Sequence, residues 1–206
     1  MRYYFLLLGL VLSACNLQND FSLKDNRFSS GKTYKINLQP FGQVDKILIK
    51  DLVKELNDSV NASINLIPAV PFPKNAYYSP RKRYIADSMI KYLQNKSVNG
   101  AYYIGLTNRD ISTFKEVTIN WGVMGLGYQP GNACMVSSFR IKGKNGKLQE
   151  RFYKVVVHEL GHNFGLSHCE NAGCYMMDAE GKMKMDEEHF FCKKCWYFLE
   201  QKSFFK

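Results

Sequence analysis

Five residues follow the pattern HExxHxxGxxH, namely His158, Glu159, His162, Gly165 and His168. Residues four apart share one face of an α-helix, so His158 and His162 can direct their imidazoles to one metal ion. Gly165 can take a positive φ at little steric cost, which would end the helix and turn the chain back, so that His168 becomes a third ligand. Three protein ligands leave the fourth tetrahedral position open for water, as in catalytic zinc sites. The pattern therefore predicts a catalytic zinc ion.

Glu159 directly follows the first of these histidines and is the predicted general base. Zinc lowers the pKa of a bound water to about 7 and polarises a carbonyl oxygen as negative charge develops on it. Glu159 would take the proton from this water during attack and later pass it to the leaving amine. Three of the four histidines in the chain stand at the ligand positions. The sequence therefore predicts a zinc-dependent hydrolase of peptide bonds.

Two other functions are compatible with parts of this pattern. A catalytically weak or inactive zinc-containing peptide-binding protein could use the same scaffold, but a binding role has no need for a carboxylate beside the first ligand. Nucleic-acid binding belongs to a different class and is suggested by the formal net charge of +10 together with the cysteines. It fits poorly, because no basic helix or aromatic-interleaved strand pattern accompanies them. We expect a monomeric enzyme that binds peptide or protein substrates and no nucleic acid.

Four cysteines follow the histidine string in two pairs, Cys169 with Cys174 and Cys192 with Cys195. This spacing suits a tetrahedral thiolate site, and four thiolates close the coordination shell. Such a site would be structural, joining the chain after the active helix to the C-terminal segment. Two disulfides are the alternative if the protein lies outside the cytosol. Cys134 lacks an obvious partner and is expected to be a small buried residue on a strand.

The cysteines and the histidine string together resemble the signature of the archaemetzincins, a family of metzincin zinc peptidases. The resemblance extends from about residue 33 to 196. It includes Leu38-Gln-Pro-Phe-Gly-Gln-Val, which is similar to the family's opening segment. It also includes Trp121-Gly-Val-Met-Gly-Leu-Gly through Val136-Ser-Ser-Phe-Arg140, which is similar to the family's substrate-side strand.

The resemblance implies an α+β fold and two zinc ions. The expected architecture is a metzincin-like single domain in which a twisted mixed sheet packs on two helices. A zinc-bearing active-site helix forms the floor of the cleft, and a C-terminal subdomain holds a four-cysteine zinc site. Met176 would be the methionine beneath the catalytic metal. Ala133 to Phe139 would be the edge strand that pairs with an extended peptide, and Tyr175 either approaches the zinc or packs near the second zinc.

Hydrophobic periodicity gives a coarse element map that agrees with a mixed fold. Strands are predicted at Tyr34–Leu38, Val60–Ile67, Ala101–Leu106, Val117–Trp121 and Met135–Ile141. Helices are predicted through Val44–Leu56 and Ile85–Leu93, and a turn-rich loop through Pro68–Pro80. Asn145-Gly146 is a turn signal. Val157, Leu160 and Phe164 give the zinc helix an apolar face, so its histidines are not needed for packing.

The N-terminus reads as a targeting segment. Arg2 precedes an apolar run from Phe5 to Leu12, which is too short to span a bilayer, so residues 1–14 are a predicted signal peptide. Leu12-Ser13-Ala14-Cys15 resembles a bacterial lipobox, which implies cleavage before Cys15 and its lipidation. The alternatives are a simple secretory signal cut nearby and a buried hydrophobic strand. Residues 15–31 would be the lipidated cysteine and a polar tether, and residues 32–206 the catalytic domain, anchored to a membrane in the bacterial cell envelope and facing outside the cytosol.

Basic residues concentrate ahead of the zinc helix. They are Arg140, Lys142, Lys144, Lys147, Arg151 and Lys154. Such a cluster could favour acidic substrates or an anionic membrane surface. A solvated hairpin is the alternative.

Overall fold

The computed structural model of the chain describes residues 34–97, 100–115, 118–141, 146–179 and 182–206. The predicted signal peptide (1–14) and the predicted lipidated Cys15 with its tether (15–31) lie outside these residues. The same holds for Val117 of a predicted strand, for Asn145 of the predicted turn and for Lys142 and Lys144 of the basic cluster.

The described residues form nine strands and four α-helices. The strands are β1 (Tyr34–Pro40), β2 (Ala62–Leu66), β3 (Tyr77–Tyr78), β4 (Arg83–Ile85), β5 (Tyr102–Thr107), β6 (Ile111–Lys115), β7 (Thr118–Val123), β8 (Gly125–Gly127) and β9 (Ala133–Ser137). The helices are α1 (Lys46–Ser59), α2 (Ala86–Lys96), α3 (Leu148–Phe164) and α4 (Lys193–Glu200). The predicted strands and helices are recovered with shifts of a few residues at their ends. The largest is at β9, which stops at Ser137 because residues 138–141 turn.

A five-stranded mixed sheet forms the centre of the molecule, in the order β2-β1-β5-β9-β8. The first four strands are mutually parallel, and β8 is antiparallel to β9. Alternate residues point to opposite faces, as a strand requires. On β5, Ile104 belongs to the core that contains α1 and α3, whereas Tyr103 belongs to the core that contains α2. The sheet therefore packs on two helices on one face, as expected, and on a third helix on the other.

A second sheet, in the order β3-β4-β6-β7, was not predicted. Two of its strands have only two or three residues, too few for a periodic signal. Asp110 ties this sheet to the central one, because its carboxylate accepts hydrogen bonds from Arg83 at 2.7 Å and from Arg140 at 2.6 Å. The second sheet is thereby fixed beside β8.

The zinc helix α3 ends where the sequence predicts. Gly165 has a φ of 107°, which favours glycine. Its N–H donates to His162 O at 2.9 Å, and Leu166 N–H donates to Gly161 O at 2.9 Å. These two bonds form a Schellman cap. The chain therefore reverses directly after α3 and runs back toward the helix with His168.

The C-terminal segment, residues 166–206, packs into the same core as α1 and α3. Phe204 and Leu199 are buried in it. The hydroxyl of Tyr34, the first described residue, donates to Lys202 O, so the N-terminal strand begins beside this segment. Among the described helices, none combines the length and apolar character needed to cross a bilayer.

Candidate metal centre and active site

The structure brings His158, His162 and His168 together at the end of α3. One ligand atom from each lies within 4.8 Å of the others, and the Nε2 atoms of His158 and His162 are 3.1 Å apart. Tetrahedral zinc with Zn–N distances of about 2.0–2.1 Å requires a separation of about 3.3 Å between two nitrogens. The observed spacing therefore fits a single zinc ion between them.

Hydrogen bonds hold the histidines ready for a metal. His158 Nδ1 lies 2.6 Å from Tyr175 O, and His162 Nδ1 lies 2.7 Å from Leu166 O. Carbonyl oxygens only accept, so each Nδ1 carries the proton and each Nε2 keeps its lone pair for the metal. Burial and then the neighbouring His162 lower the pKa of His158 to about 3, and burial lowers the pKa of His162. Both rings are thus neutral near pH 7, the state that binds zinc.

His168 is the exposed member of the triad, and a carboxylate lies behind it. Its Nδ1 is 3.5 Å from Asp178 Oδ2. A carboxylate in this position orients a ligand imidazole. Asp178 was not singled out from the sequence, because no spacing rule links it to the histidines.

Glu159 lies buried beneath β8, with 6% of its surface exposed. A methyl group on Gly125 would collide with its Oε1, and one on Gly127 would lie 2.7 Å from its main-chain oxygen. Burial raises the pKa of Glu159 to about 8, and a backbone hydrogen bond from Gly127 opposes this. These glycines were quoted only for the family resemblance. Two glycines in one short strand indicate that another part of the chain approaches the backbone closely. This signal could have identified Gly125 and Gly127 as residues of the site.

Met176 packs under the zinc helix, as expected for the methionine of this position. It is fully buried, and its Sδ lies 2.5 Å from the point where a Cβ on Gly161 would stand. Met176 O accepts from Cys169 N–H at 2.8 Å. This contact joins the turn that holds Met176 to the residue that follows His168.

The four predicted cysteines form a second cluster. The sulfur atoms of Cys169, Cys174, Cys192 and Cys195 all lie within 4.8 Å of one another. The Sγ atoms of Cys169 and Cys192 are 3.7 Å apart, close to the roughly 3.8 Å that tetrahedral Zn–S bonds of about 2.3 Å require. A disulfide needs about 2.05 Å, and these cysteines are free. The geometry favours zinc over the disulfide alternative.

Hydrogen bonds favour the thiolate of Cys192, whereas burial raises the pKa of Cys174 and Cys195. Burial raises the pKa of the Cys192 thiol, but hydrogen bonds from the Cys195 backbone and from Asn171 outweigh it and lower the pKa to about 6. The Asn171 amide donates to Cys192 Sγ at 3.2 Å. Zinc binds cysteine as the thiolate. Cys134 lies apart from the cluster and is fully buried on β9, as predicted.

A cleft of about 820 Å³ runs over the histidines. Its lining includes Trp121 and Phe114 from the second sheet together with Met183 and Met185. The edge strand of the central sheet along this cleft is β8. The expectation that Ala133 to Phe139 forms the edge is wrong, because β9 is paired on both sides, with β5 and with β8.

Tyr175 does not line this cleft. Its ring packs on Phe191 with centroids 5.2 Å apart, while its carbonyl accepts from His158. Packing near the second cluster, the alternative to direct action at zinc, therefore describes its side chain.

Carboxylates pair with the described members of the basic cluster ahead of α3. Arg140 pairs with Asp110 at 2.6 Å and Arg151 with Asp186 at 2.7 Å. Each of these carboxylates is shared with a second cation, Asp110 with Arg83 and Asp186 with Lys147, so the preference for acidic substrates stays a prediction.

The fold and the two clusters define the class of the protein. A mixed sheet backs a helix with two histidines, a glycine-capped turn supplies the third, and a buried carboxylate lies beside them below an edge strand. This combination is that of a zinc metallopeptidase with a closed four-cysteine metal site.

Comparison with known proteins identifies the family. A sequence model of Peptidase family M54 matches residues 49–201. Archaemetzincin from Natronomonas pharaonis is 27% identical over 171 residues, which cover 78% of this chain and 96% of that protein. Archaemetzincin from Methanopyrus kandleri is 30% identical over 131 residues, which cover 63% of this chain and 73% of that protein.

Solved structures agree. The crystal structure of archaemetzincin from Methanopyrus kandleri has a TM-score of 0.72 and 25% identity, covering 84% of this chain and 96% of that one. The structure of the Archaeoglobus fulgidus archaemetzincin complexed with malonate has a TM-score of 0.66 and 26% identity, covering 80% of this chain and 99% of that one. The chain belongs to Peptidase family M54, the archaemetzincin zinc metallopeptidases. The predicted family, fold class and peptidase function are confirmed, and both side-chain clusters are compatible with zinc.

Proposed function

We propose that this metallopeptidase holds its catalytic zinc with His158, His162 and His168 and uses Glu159 as the general base. The observation that carries the proposal is the position of Glu159, a buried carboxylate adjacent to the first histidine and directly beneath β8. A binding protein without turnover has no need for a carboxylate there.

The residues of the chain divide the chemistry between them. Zinc at the three histidines supplies a Lewis acid that polarises the scissile carbonyl and acidifies water. The Glu159 carboxylate takes the proton as water attacks and delivers it to the nitrogen of the leaving amine. Burial favours the protonated form of Glu159, so the carboxyl group can keep the proton between these two transfers.

The peptide substrate lies along β8 as an added strand. This strand ends the central sheet and lines the cleft, so its outer backbone groups can pair with an extended chain. Because Gly125 and Gly127 have no side chains, both the added strand and Glu159 can lie close to the backbone of β8.

Replacing Glu159 by Gln tests the assignment. We expect kcat/KM for peptides to fall by about 10³-fold, in the range observed for loss of general-base catalysis. Zinc content should stay at the wild-type level because the ligands are intact. Glu55→Gln, on the exposed surface of α1, is the matched control and should retain activity. Wild-type turnover by Glu159→Gln would contradict the mechanism.

We also propose that Cys169, Cys174, Cys192 and Cys195 hold a second, structural zinc. The close approach of their sulfur atoms supports this. Four thiolates leave no open position, so this metal would stabilise the fold without reacting.

The N-terminal residues suggest where the enzyme works. We propose that residues 1–14 are a signal peptide, that Cys15 is lipidated, and that residues 15–31 tether the monomeric catalytic domain, residues 32–206, to a membrane of the bacterial cell envelope. Tyr34 contacts Lys202, so the tether would join the domain beside α4. There Trp196 and Tyr197 are 46% and 64% exposed, next to the exposed Lys193 and Lys194. Aromatic and basic side chains suit an anionic membrane surface.

Replacing Cys15 by Ser tests the anchor in bacterial cells that express the full chain. Wild-type protein should incorporate a labelled fatty acid and sediment with membranes. Cys15→Ser should do neither, because a lipid thioether can form only on the cysteine sulfur. Cys134→Ser is the control and should keep the label. Equal labelling of the Cys15→Ser variant would overturn the proposal.

A further inference from the structure

The cleft contains a subsite beyond His158 whose chemistry the zinc reaction does not use. Lys154 lies four residues before His158 and Val155 three before it, so both occupy the helix face that carries the ligands. Met185 and Glu188, from the segment after the methionine turn, also line this part of the cleft. A substrate side chain adjacent to the scissile bond would point into the space between them.

The positive charge in this subsite is already paired. Lys154 is 3% exposed, and its ammonium donates to Glu150 Oε1 and to Met185 O, the latter at 2.8 Å. Two of its three donors are therefore committed to the protein.

The negative charge in this subsite is not paired. Glu188 is 4% exposed, and its carboxylate makes no hydrogen bond or ion pair with any residue in the described part of the chain. A buried carboxylate without a partner is costly, which in proteins is relieved by a proton or by a cation. Burial raises the pKa of Glu188 to about 7, although Lys154 and Lys184 lower it, so the proton is held more tightly than by an exposed glutamate.

We propose that Glu188 makes this enzyme select peptides with a basic side chain, Arg or Lys, next to the scissile bond. The guanidinium or ammonium group would supply the donors that Glu188 lacks, and a charge-assisted hydrogen bond in a site screened from water is stronger than one at the surface. This inference rests on the zinc peptidase function and assigns a substrate class to it.

A peptide series tests the selection with internally quenched substrates that differ at one position flanking the scissile bond. The position carries Arg, citrulline, Leu or Glu, and citrulline has nearly the shape of Arg without its charge. We expect wild-type enzyme to prefer Arg over citrulline by about 10- to 100-fold in kcat/KM, in line with charged hydrogen bonds. Glu188→Gln should bring this ratio close to one.

Glu187→Gln is the matched control. Glu187 is exposed and adjacent, so the variant loses the same charge but should keep the Arg preference. A merely structural role of Glu188 would lower kcat/KM for all four peptides equally and leave the ratio unchanged. That result, or a wild-type preference for Glu through Lys154, would overturn the inference.

Binding separates this inference from the catalytic proposal. Titration calorimetry on zinc-loaded Glu159→Gln gives the Kd of uncleaved peptides, and the Arg peptide should bind about 10-fold more tightly than the citrulline peptide. Combining Glu159→Gln with Glu188→Gln should abolish the difference. If the Arg peptide bound more tightly but wild type did not cleave it, the role of Glu188 would be supported and the catalytic proposal would be refuted. If wild type cleaved the Arg and citrulline peptides equally well, the catalytic proposal would be supported and the role of Glu188 would be refuted.

Discussion

The positions of individual side chains at the active site depend on neighbouring glycines, which carry no side chain. Glu159 can lie against β8 only because Gly125 and Gly127 carry no side chain, and Met176 can pack under α3 only because Gly161 carries none. Each of these glycines serves a contact with another element. The small size of these glycines therefore positions Glu159 and Met176 as much as hydrogen bonds do.

Gly125→Ala should separate the position of Glu159 from the stability of the fold. The new methyl group would meet the Glu159 carboxyl group, the end of a side chain, which can move aside. We expect kcat/KM to fall by about 10- to 100-fold because displacement of a catalytic group by about 1 Å has this effect. The melting temperature and zinc content should change little.

Gly127→Ala provides the comparison. Its methyl group would meet the main-chain oxygen of Glu159 at 2.7 Å, which cannot move without distorting α3. This variant should lose several degrees in melting temperature as well as activity. If both variants lost stability equally, the contact of Gly125 with the Glu159 side chain would not be what positions the general base.

At the scale of secondary structure, a short connection after α3 joins the histidine site to the cysteine cluster. The Schellman cap at Gly165, the ligand His168 and the cluster residue Cys169 occupy five consecutive positions. Disorder in the cysteine cluster would therefore displace His168, because Cys169 directly follows it.

Cys195→Ser should remove one of two zinc ions and weaken the fold. Metal binding at a site that forms only in the folded state contributes directly to folding free energy, so we expect the melting temperature to fall by about 10 °C. Zinc content measured by mass spectrometry should drop from two ions per chain to one. Peptidase activity should fall as well, since Cys169 follows His168 directly.

Cys134→Ser is the control for this experiment. It makes the same exchange at a buried cysteine outside the cluster and should retain both zinc ions. Unchanged zinc content in Cys195→Ser would refute the structural site.

The sequence predicts the elements that carry their own periodic or motif signal. The spacing of Leu48, Leu52 and Leu56 predicts α1, and the histidine string with Gly165 predicts the end of α3. The edge strand was misassigned, because strand order depends on pairing between distant residues and β8 has only three residues. Asp178 and Glu188 were missed for the same reason, since only the folded chain brings them to the cleft.

At the scale of the whole molecule, a basic chain places two buried carboxyl groups in its cleft. The formal net charge is +10, but Arg83, Arg140 and Arg151 near the cleft are paired with Asp110 and Asp186. The buried carboxyl groups Glu159 and Glu188 face the cavity. The substrate site thus contains two buried carboxyl groups although the chain as a whole is basic.

This arrangement makes folding stability depend on pH through Glu188. Burial, opposed by Lys154 and Lys184 and assisted by Glu187, raises the pKa of Glu188 from 4.5 to about 7. Because the folded state binds this proton more tightly than the unfolded chain does, the free energy of unfolding falls as pH rises from about 4.5 to about 7 and is then constant. Glu188→Gln lacks this loss. Its stability relative to wild type should therefore grow by about 1–3 kcal/mol between pH 5 and pH 8.

Urea unfolding of zinc-saturated wild type and Glu188→Gln at several pH values in this range measures the difference. Both proteins carry the same histidine and cysteine clusters, so the pH dependence of zinc binding cancels when one free energy is subtracted from the other. A basic peptide bound in the subsite should shrink the difference at pH 8, because a cation then stabilises the Glu188 carboxylate in wild type and finds no charge in the variant. A stability difference that stayed constant with pH would show that Glu188 ionises as easily in the folded protein as in the unfolded chain, and would remove the unpaired buried charge on which the substrate preference depends.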